Sequence, residues 1–278
     1  MTVPKISVVL TSYNRLDFLK RAVASVLAQE YPNIEIVITD DCSPDGSWEW
    51  IKGQTASPNI IGVQQSKNFG FPTRPRNDGV FLSSGEVISF LDEDNEFFPG
   101  RMTSMMAGFR QGVGAVYCHS QGVKDGQFVR VPWVVQPTQF DLNLLTARNY
   151  IDLSEVIVRR EVLEKIGVFD EKLTWNEEWD LWRRIVAGGN QMLCFPQMWN
   201  FYTIHREASR SGIIEIRRAA DQRIAQKHKA LRRFRLKVEG LWEGETLGQF
   251  DQPESQAHQI AVCRNQETRQ LEVKTQVA

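Results

Sequence analysis

The residues best suited to chemistry stand at Asp92-Glu93-Asp94, directly after the apolar run at 86–91 (Glu-Val-Ile-Ser-Phe-Leu). Side chains at i and i+2 of an extended segment point to the same side, so Asp92 and Asp94 are expected to converge while Glu93 faces away. Carboxylate oxygens placed in this way suit a hard divalent ion, Mn2+ or Mg2+, which takes a few carboxylates together with phosphate oxygens. The ordinary reading of such a triplet is an exposed acidic turn. Two more polar clusters close apolar runs in the same manner: Thr11-Ser12-Tyr13-Asn14 after residues 6–10, and Asp40-Asp41 after residues 34–38. The turn after the first run lacks glycine, and no Walker-type lysine loop occurs. A phosphorylated ligand would therefore need something other than a glycine loop to neutralise it.

These clusters need a scaffold. Residues 6–10 (Ile-Ser-Val-Val-Leu) read as a strand buried on both faces, as in a parallel sheet. Asn14 is expected to cap the next helix, with Asp17 near its positive end and Phe18, Leu19, Ala22, Val23, Val26 and Leu27 as its buried stripe. A strand at 34–38, turn formers at 40–46, a short helix at 47–52, and a strand at 60–64 follow, then a helix at 76–82 and a strand at 86–91. This alternation predicts right-handed βαβ units and a doubly wound, mostly parallel sheet flanked by helices, which binds ligands beyond the carboxyl ends of its strands. Past residue 112 the pattern loosens: a strand at 115–119, a loop-rich stretch to 150, a strand at 151–158, helices at 160–166 and 177–187, and strands at 192–195 and 198–204.

Residues 213–239 read as a basic amphipathic helix. Its stripe (Ile213, Ile216, Ala220, Ile224, Leu231, Phe234, Val238) either packs on the domain or, through 213–238, docks on an anionic membrane surface. Residues 240–278 are rich in Gln and Glu and are expected to form a loosely ordered tail. The net charge of −1 gives no global electrostatic case for a nucleic-acid partner. Cys42, Cys118, Cys194 and Cys263 are too far apart in sequence for paired thiolate motifs and read as free thiols in a reducing compartment. With no signal-peptide pattern at the start and no apolar run near ~20 residues, a soluble cytoplasmic protein, or one peripheral at the inner face of a membrane, is expected.

Taken in order, the motifs at 8–15 (Val-Val-Leu-Thr-Ser-Tyr-Asn-Arg), 38–43 (Ile-Thr-Asp-Asp-Cys-Ser), Asn68-Phe69-Gly70, Arg76-Asn77 and 90–94 resemble the family 2 glycosyltransferases of the GT-A fold, over roughly residues 5–210. The resemblance implies a GT-A-like domain at 1–212, with a nucleotide-binding half at 1–112 and an acceptor-binding half at 113–212, followed by the helical extension. It implies that Thr11, Tyr13 and Arg15 line the nucleotide pocket, with Asn68 and Glu93 at the nucleotide sugar. Asp40 or Asp41 would hydrogen-bond the base, as expected for uracil. Arg76 would lie near the diphosphate. Asp92 would contact the ribose or the metal's water shell, and Asp94 would ligate the metal. The ordinary alternatives are turn caps for Asp40 and Asp41, a packed aromatic for Tyr13 and a surface cation for Arg76.

Residues 175–182 (Trp-Asn-Glu-Glu-Trp-Asp-Leu-Trp) resemble the family's Glu-Asp pair followed by an aromatic, Asp, Leu and Trp, whose second acid is the base. That acid is Glu178 here, one methylene longer than the family's Asp. Asp180 is the rival base, with helix capping or ion pairing as its ordinary role. His205 matches a position that touches metal or diphosphate, or it is structural. Trp133, Trp175 or Trp179 either pack in the core or stack on a sugar ring. The implied activity is inverting transfer from a UDP-sugar, with Mn2+ or Mg2+, to a hydroxyl of a glycan, lipid-linked or small-molecule acceptor. A processive synthase is disfavoured, because membrane spans and a Gln-x-x-Arg-Trp motif are absent. Two rivals stay open. One is a sugar-1-phosphate nucleotidylyltransferase, although the glycine-rich loop of that family is missing. The other is a non-catalytic nucleotide-sugar-binding protein, which the Glu at the base position keeps open.

Overall fold

The computed structural model describes residues 3–130, 137–205, 220–224, 226–228, 260–264 and 271–275. Strands β1 (Ile6–Ser12), β2 (Ile34–Asp40), β3 (Ile60–Gln64) and β4 (Val87–Asp92) lie parallel in the order β3-β2-β1-β4. Helices α1 (Leu16–Leu27), α2 (Ser47–Gln54) and α3 (Thr73–Leu82) make the crossovers. The apolar runs are buried on both faces, as the parallel reading requires. Ile6, Val8 and Leu10 meet Leu19, Val23 and Val26 of α1 in one core, while Val9 joins Val80 of α3 in the other.

Beyond β4 come β5 (Glu96–Phe97), α4 (Arg101–Met106), β6 (Val113–Lys124), β7 (Gln127–Val129) and α5 (Leu142–Ala147). After a 3-10 turn at Leu153–Glu155 follow β8 (Val156–Arg159), α6 (Arg160–Ile166), α7 (Glu177–Ala187) and β9 (Gln191–Thr203). The nine-stranded sheet continues β4-β8-β6-β9-β5, with β7 on β6. β6 and β9 are parallel, and β8 runs antiparallel to both its neighbours. β8 needs no crossover helix, because the chain enters it at the carboxyl edge through the 3-10 turn.

Several expectations change. Asn14 does not cap α1; it sits at φ 57, and the Leu16 N–H donates instead to Asp45 from the turn after β2 (2.8 Å). The strand expected at 151–158 starts as a 3-10 turn. Asp152 accepts from Ser154 N (2.9 Å), and Glu155 accepts from Asp152 N (3.0 Å), a reciprocal capping box. β9 is one strand where two were expected: register shifts in its pairing with β6 carry it past Pro196, which has no N–H to give. Of the basic helix, residues 220–224, 226 and 227 are helical, and Ala220 and Ile224 are buried; the rest of 213–239 lies outside the described residues. Within the expected tail, β10 (Ile260–Arg264) and β11 (Leu271–Thr275) pair antiparallel. Their alternating apolar residues, Ile260 and Val262, Leu271 and Val273, carry that signal; the remainder of 240–278 is outside the described residues. Among the described residues no helix is long and apolar enough to cross a membrane.

Candidate active site

β1, β2 and β4 end at one edge, and the registers Ser12↔Asp40 and Thr11↔Asp92 align the polar clusters. β4 stops at Asp92, and Glu93 and Asp94 form a turn closed by Asn95 N donating to the Asp92 carbonyl (3.0 Å). The same-side convergence expected of an extended triplet is therefore not what positions these acids. Asp92 accepts from Arg76 Nη2 (2.6 Å). Asp94 accepts from Arg15 Nη1 (2.6 Å) and lies 2.8 Å from His205 Nε2. Glu93 turns back and accepts from Tyr13 N (2.9 Å). Burial pushes the Glu93 carboxyl up to about 8, with the Asp94 charge adding to the shift and the Tyr13 N–H opposing it.

Arg76 is a buried bridge rather than a surface cation. Its guanidinium donates to both Asp92 and Glu177, and their charges outweigh burial to hold it protonated. Asp40 is fully buried. Its Oδ2 accepts from Ser43 N (3.0 Å) and Gln64 Nε2 (3.2 Å), while its Oδ1 has no hydrogen-bond partner among the described residues. Asp41 spends both oxygens on Phe69 N (3.0 and 3.1 Å). Thr11 is half-buried beside them, Tyr13 is exposed, and Asn68 is exposed on the loop after β3.

The first turn of α7 separates the two rival bases. Asp180 is fully buried and saturated by His228 Nε2 (2.8 Å), Arg184 Nε (2.8 Å) and Lys227 Nζ (3.0 Å). Burial opposes its ionisation, but those partners outweigh it and hold the carboxyl well below the usual range. It sits in an ion-pair network between α7 and the segment bearing Lys227 and His228. Glu178 is half-buried, with one oxygen accepting from Asn149 Nδ2 (2.7 Å). Burial, then the charge of Glu177 and that of Asp152, push its carboxyl well above the usual range. Trp179 is core, its indole N–H on the Leu145 carbonyl (2.6 Å), so it is no sugar platform. Trp175 is half-buried, and Trp133 lies outside the described residues.

Sequence reasoning missed Asp152 and Asn149. Asp92 N donates to Ser154 Oγ (3.2 Å), which brings the Asp152 turn against the acidic turn, and burial and the neighbouring Asp92 charge push Asp152 up. Its sequence signal was the capping-box spacing Asp152-Leu-Ser-Glu155; Asn149 carried none.

Among the described residues no three His, Cys, Asp or Glu side chains form a ready metal cage. Asp94 and His205 nevertheless bring a carboxylate oxygen and an imidazole nitrogen within 2.8 Å. The nearby carboxylates of Asp92, Glu93, Asp152, Glu177 and Glu178 outnumber the guanidiniums of Arg15 and Arg76. The donor set and this concentration of acids fit a divalent cation such as Mn2+.

Residues 7–167 match the model of the family described as "Glycosyl transferase family 2". The chain is 28% identical over 247 residues to the succinoglycan biosynthesis protein ExoO of Rhizobium meliloti, covering 84% of this chain and 70% of that protein. Its fold is similar to that of S. aureus TarS 1-349 in complex with UDP-GlcNAc (TM-score 0.62, 20% identity), covering 73% of this chain and 59% of that one. It is also similar to the mannosyltransferase PcManGT of Pyrobaculum calidifontis in complex with GDP-Man and Mn2+ (TM-score 0.61, 18% identity), covering 89% of this chain and 67% of that one. The chain thus spans about three-fifths of the TarS chain it matches. Four adjacent parallel strands with an acidic turn after β4, in a chain matched over more than half its length by one family model, make this a glycosyltransferase of family 2 with the GT-A fold.

Proposed function

We propose that the chain transfers a sugar from a nucleoside diphosphate sugar, a UDP-sugar in the first place, to an acceptor hydroxyl with inversion, in building a glycan, glycolipid or other glycoconjugate. The observation that carries this reading is Glu178. It is an acid of raised proton affinity on the first turn of α7, held in the acidic cluster at the edge where β1, β2 and β4 end. In this reading the unpartnered Oδ1 of Asp40 accepts from the nucleobase, with Thr11, Tyr13 and Arg15 along the nucleotide. Asp94 and His205 would hold Mn2+ or Mg2+, with Asp92 beside them. A cation bound there stabilises the negative charge that grows on the departing diphosphate. Arg76 keeps Asp92 and Glu177 in fixed relation, tying the acidic turn to α7. Glu178 takes the proton of the acceptor hydroxyl as that oxygen attacks the anomeric carbon from the face opposite the diphosphate. The new glycosidic bond forms as the bond to the diphosphate breaks, and no covalent sugar–enzyme species is needed.

The test is nucleoside diphosphate release from UDP-glucose, UDP-N-acetylglucosamine and GDP-mannose, with Mn2+ and with excess chelator, alongside thermal midpoints for UDP and GDP. A UDP-dependent midpoint gain that needs the metal supports the reading. Equal UDP binding in chelator, with release surviving in the Asp92→Ala/Asp94→Ala double variant, would overturn it. Pyrophosphate release from UTP and a sugar-1-phosphate would favour a nucleotidylyltransferase.

A further inference from the structure

Glu178 carries one methylene more than the aspartate expected at its position, and an unrestrained longer carboxylate would sample several rotamers. The structure restrains it. Asn149 donates its side-chain amide to Glu178 Oε1 at 2.7 Å. The Asn149 carbonyl oxygen accepts from Ile151 N (3.4 Å), which leaves the NH2 end for the carboxylate. The segment bearing Asn149 is itself tied to α7 on both sides. Trp179 Nε1 donates to the Leu145 carbonyl (2.6 Å), and Trp182 Nε1 donates to the Ile151 carbonyl (3.2 Å). Both indoles are buried, so these bonds are shielded from water. Helix α7 therefore holds residues 145–151 by two tryptophans, and that segment in turn holds the carboxylate projecting from α7.

We propose that Asn149 is the positioning residue of Glu178: it immobilises one carboxylate oxygen so that the other is the one presented to the acceptor hydroxyl. The inference rests on Glu178 being the base. Because Asn149 donates to Glu178 and accepts nothing from it, it fixes the side chain without competing for the proton that Glu178 is to accept. The Trp-Glu-Trp clamp takes the place of the shorter side chain's natural restriction.

The experiment is a double-mutant cycle on the full chain, Asn149→Ala and Glu178→Gln singly and together. It is read as kcat and donor KM for hydrolysis of whichever of UDP-glucose, UDP-N-acetylglucosamine or GDP-mannose the wild type cleaves with Mn2+. Asn149→Ala should lower kcat about tenfold, leave donor KM within about twofold, and have no further effect in the Glu178→Gln background. Asn149→Asp, isosteric but lacking the donor and adding a like charge, should fall further than Asn149→Ala. An unchanged kcat in Asn149→Ala, a loss confined to KM, or equal losses in both backgrounds would overturn the positioning role while leaving the base reading intact. Wild-type turnover in Glu178→Gln would overturn the base reading instead, and the inference with it. Absence of hydrolysis of all three donors by the wild type would count against the proposed function on which both rest.

Discussion

At the amino edge of the parallel strands, Glu35 is buried among donors. It accepts from Ser7 Oγ (2.5 Å), Ser84 Oγ (2.7 Å), the Ser84 N–H and Gly85 N (3.2 Å), with Lys5 Nζ at 3.5 Å. Burial opposes ionisation there, and the Ser7 and Ser84 hydrogen bonds with the Lys5 charge outweigh it, so Glu35 is held below the ordinary range. At the carboxyl edge, 20 Å or so along strands of this length, the balance reverses. Burial and like charges outweigh the available donors, and Glu93, Asp152 and Glu178 are all pushed up. Both edges belong to the same strands, so fold stability alone does not require the difference. An acid that serves structure is surrounded by donors. An acid kept short of them retains affinity for a proton or a cation, which is what a catalytic site uses.

The comparison breaks hardest at Glu178. Glu178→Gln should lower turnover by about 100- to 10,000-fold, the range for loss of a general base, while the thermal midpoint stays level or rises as a like charge disappears from beside Glu177. A variant that keeps turnover and loses stability would put Glu178 in the structural class. Two positions along the same helix, Asp180→Ala should show the opposite split. It leaves Lys227, Arg184 and His228 without their shared carboxylate and is expected to cost about 3 kcal/mol in denaturant unfolding. A turnover loss from Asp180→Ala beyond what unfolding explains would reopen its candidacy as a base. At the amino edge, Glu35→Ala strands the Ser7 hydroxyl and the Ser84 N–H, and is expected to cost about 2 kcal/mol with kcat unchanged. Because the folded carboxyl is held low, the Glu35 contribution is complete above the unfolded value of about 4.3 and is lost as pH falls below it. The stability difference between wild type and Glu35→Ala should therefore shrink in acid.

The sequence made the strand half of this picture legible. The runs at 6–10, 34–38 and 87–91 are rich in β-branched residues and buried on both faces, the pattern of a covered parallel sheet. It also placed the acidic turn correctly beyond β4. It did not reveal which acids are satisfied, because donors and acids meet across long stretches of chain. Asp180 finds His228 across 48 positions, Arg76 finds Glu177 across 101, and Glu178 finds Asn149 across 29. Local pattern registers none of these pairings. The Asp152 turn had a spacing signal that a helix reading would have exposed, but the apolar residues around it argued for strand, and the capping box won locally.

The smallest effect separates the two edges by pH. A carboxyl raised in the folded state keeps its proton after the unfolded chain has released it. Its effect on stability is therefore absent below the unfolded value of about 4.3 and becomes a growing penalty up to the folded value, which for Glu93 is about 8. A divalent cation held by Asp94 and His205 would offset the part of that penalty due to the Asp94 charge, and it must compete with protons to bind. Saturating Mn2+ should thus raise the thermal midpoint by a few degrees, roughly 1 kcal/mol, and more at pH 8 than at pH 6. Glu35 lies at the far edge with its donors complete, so Glu35→Ala should shift the whole curve without altering the Mn2+ increment. A metal gain that is flat with pH, or that shrinks toward pH 8, would mean that the surplus acids of the carboxyl edge are not what the cation relieves.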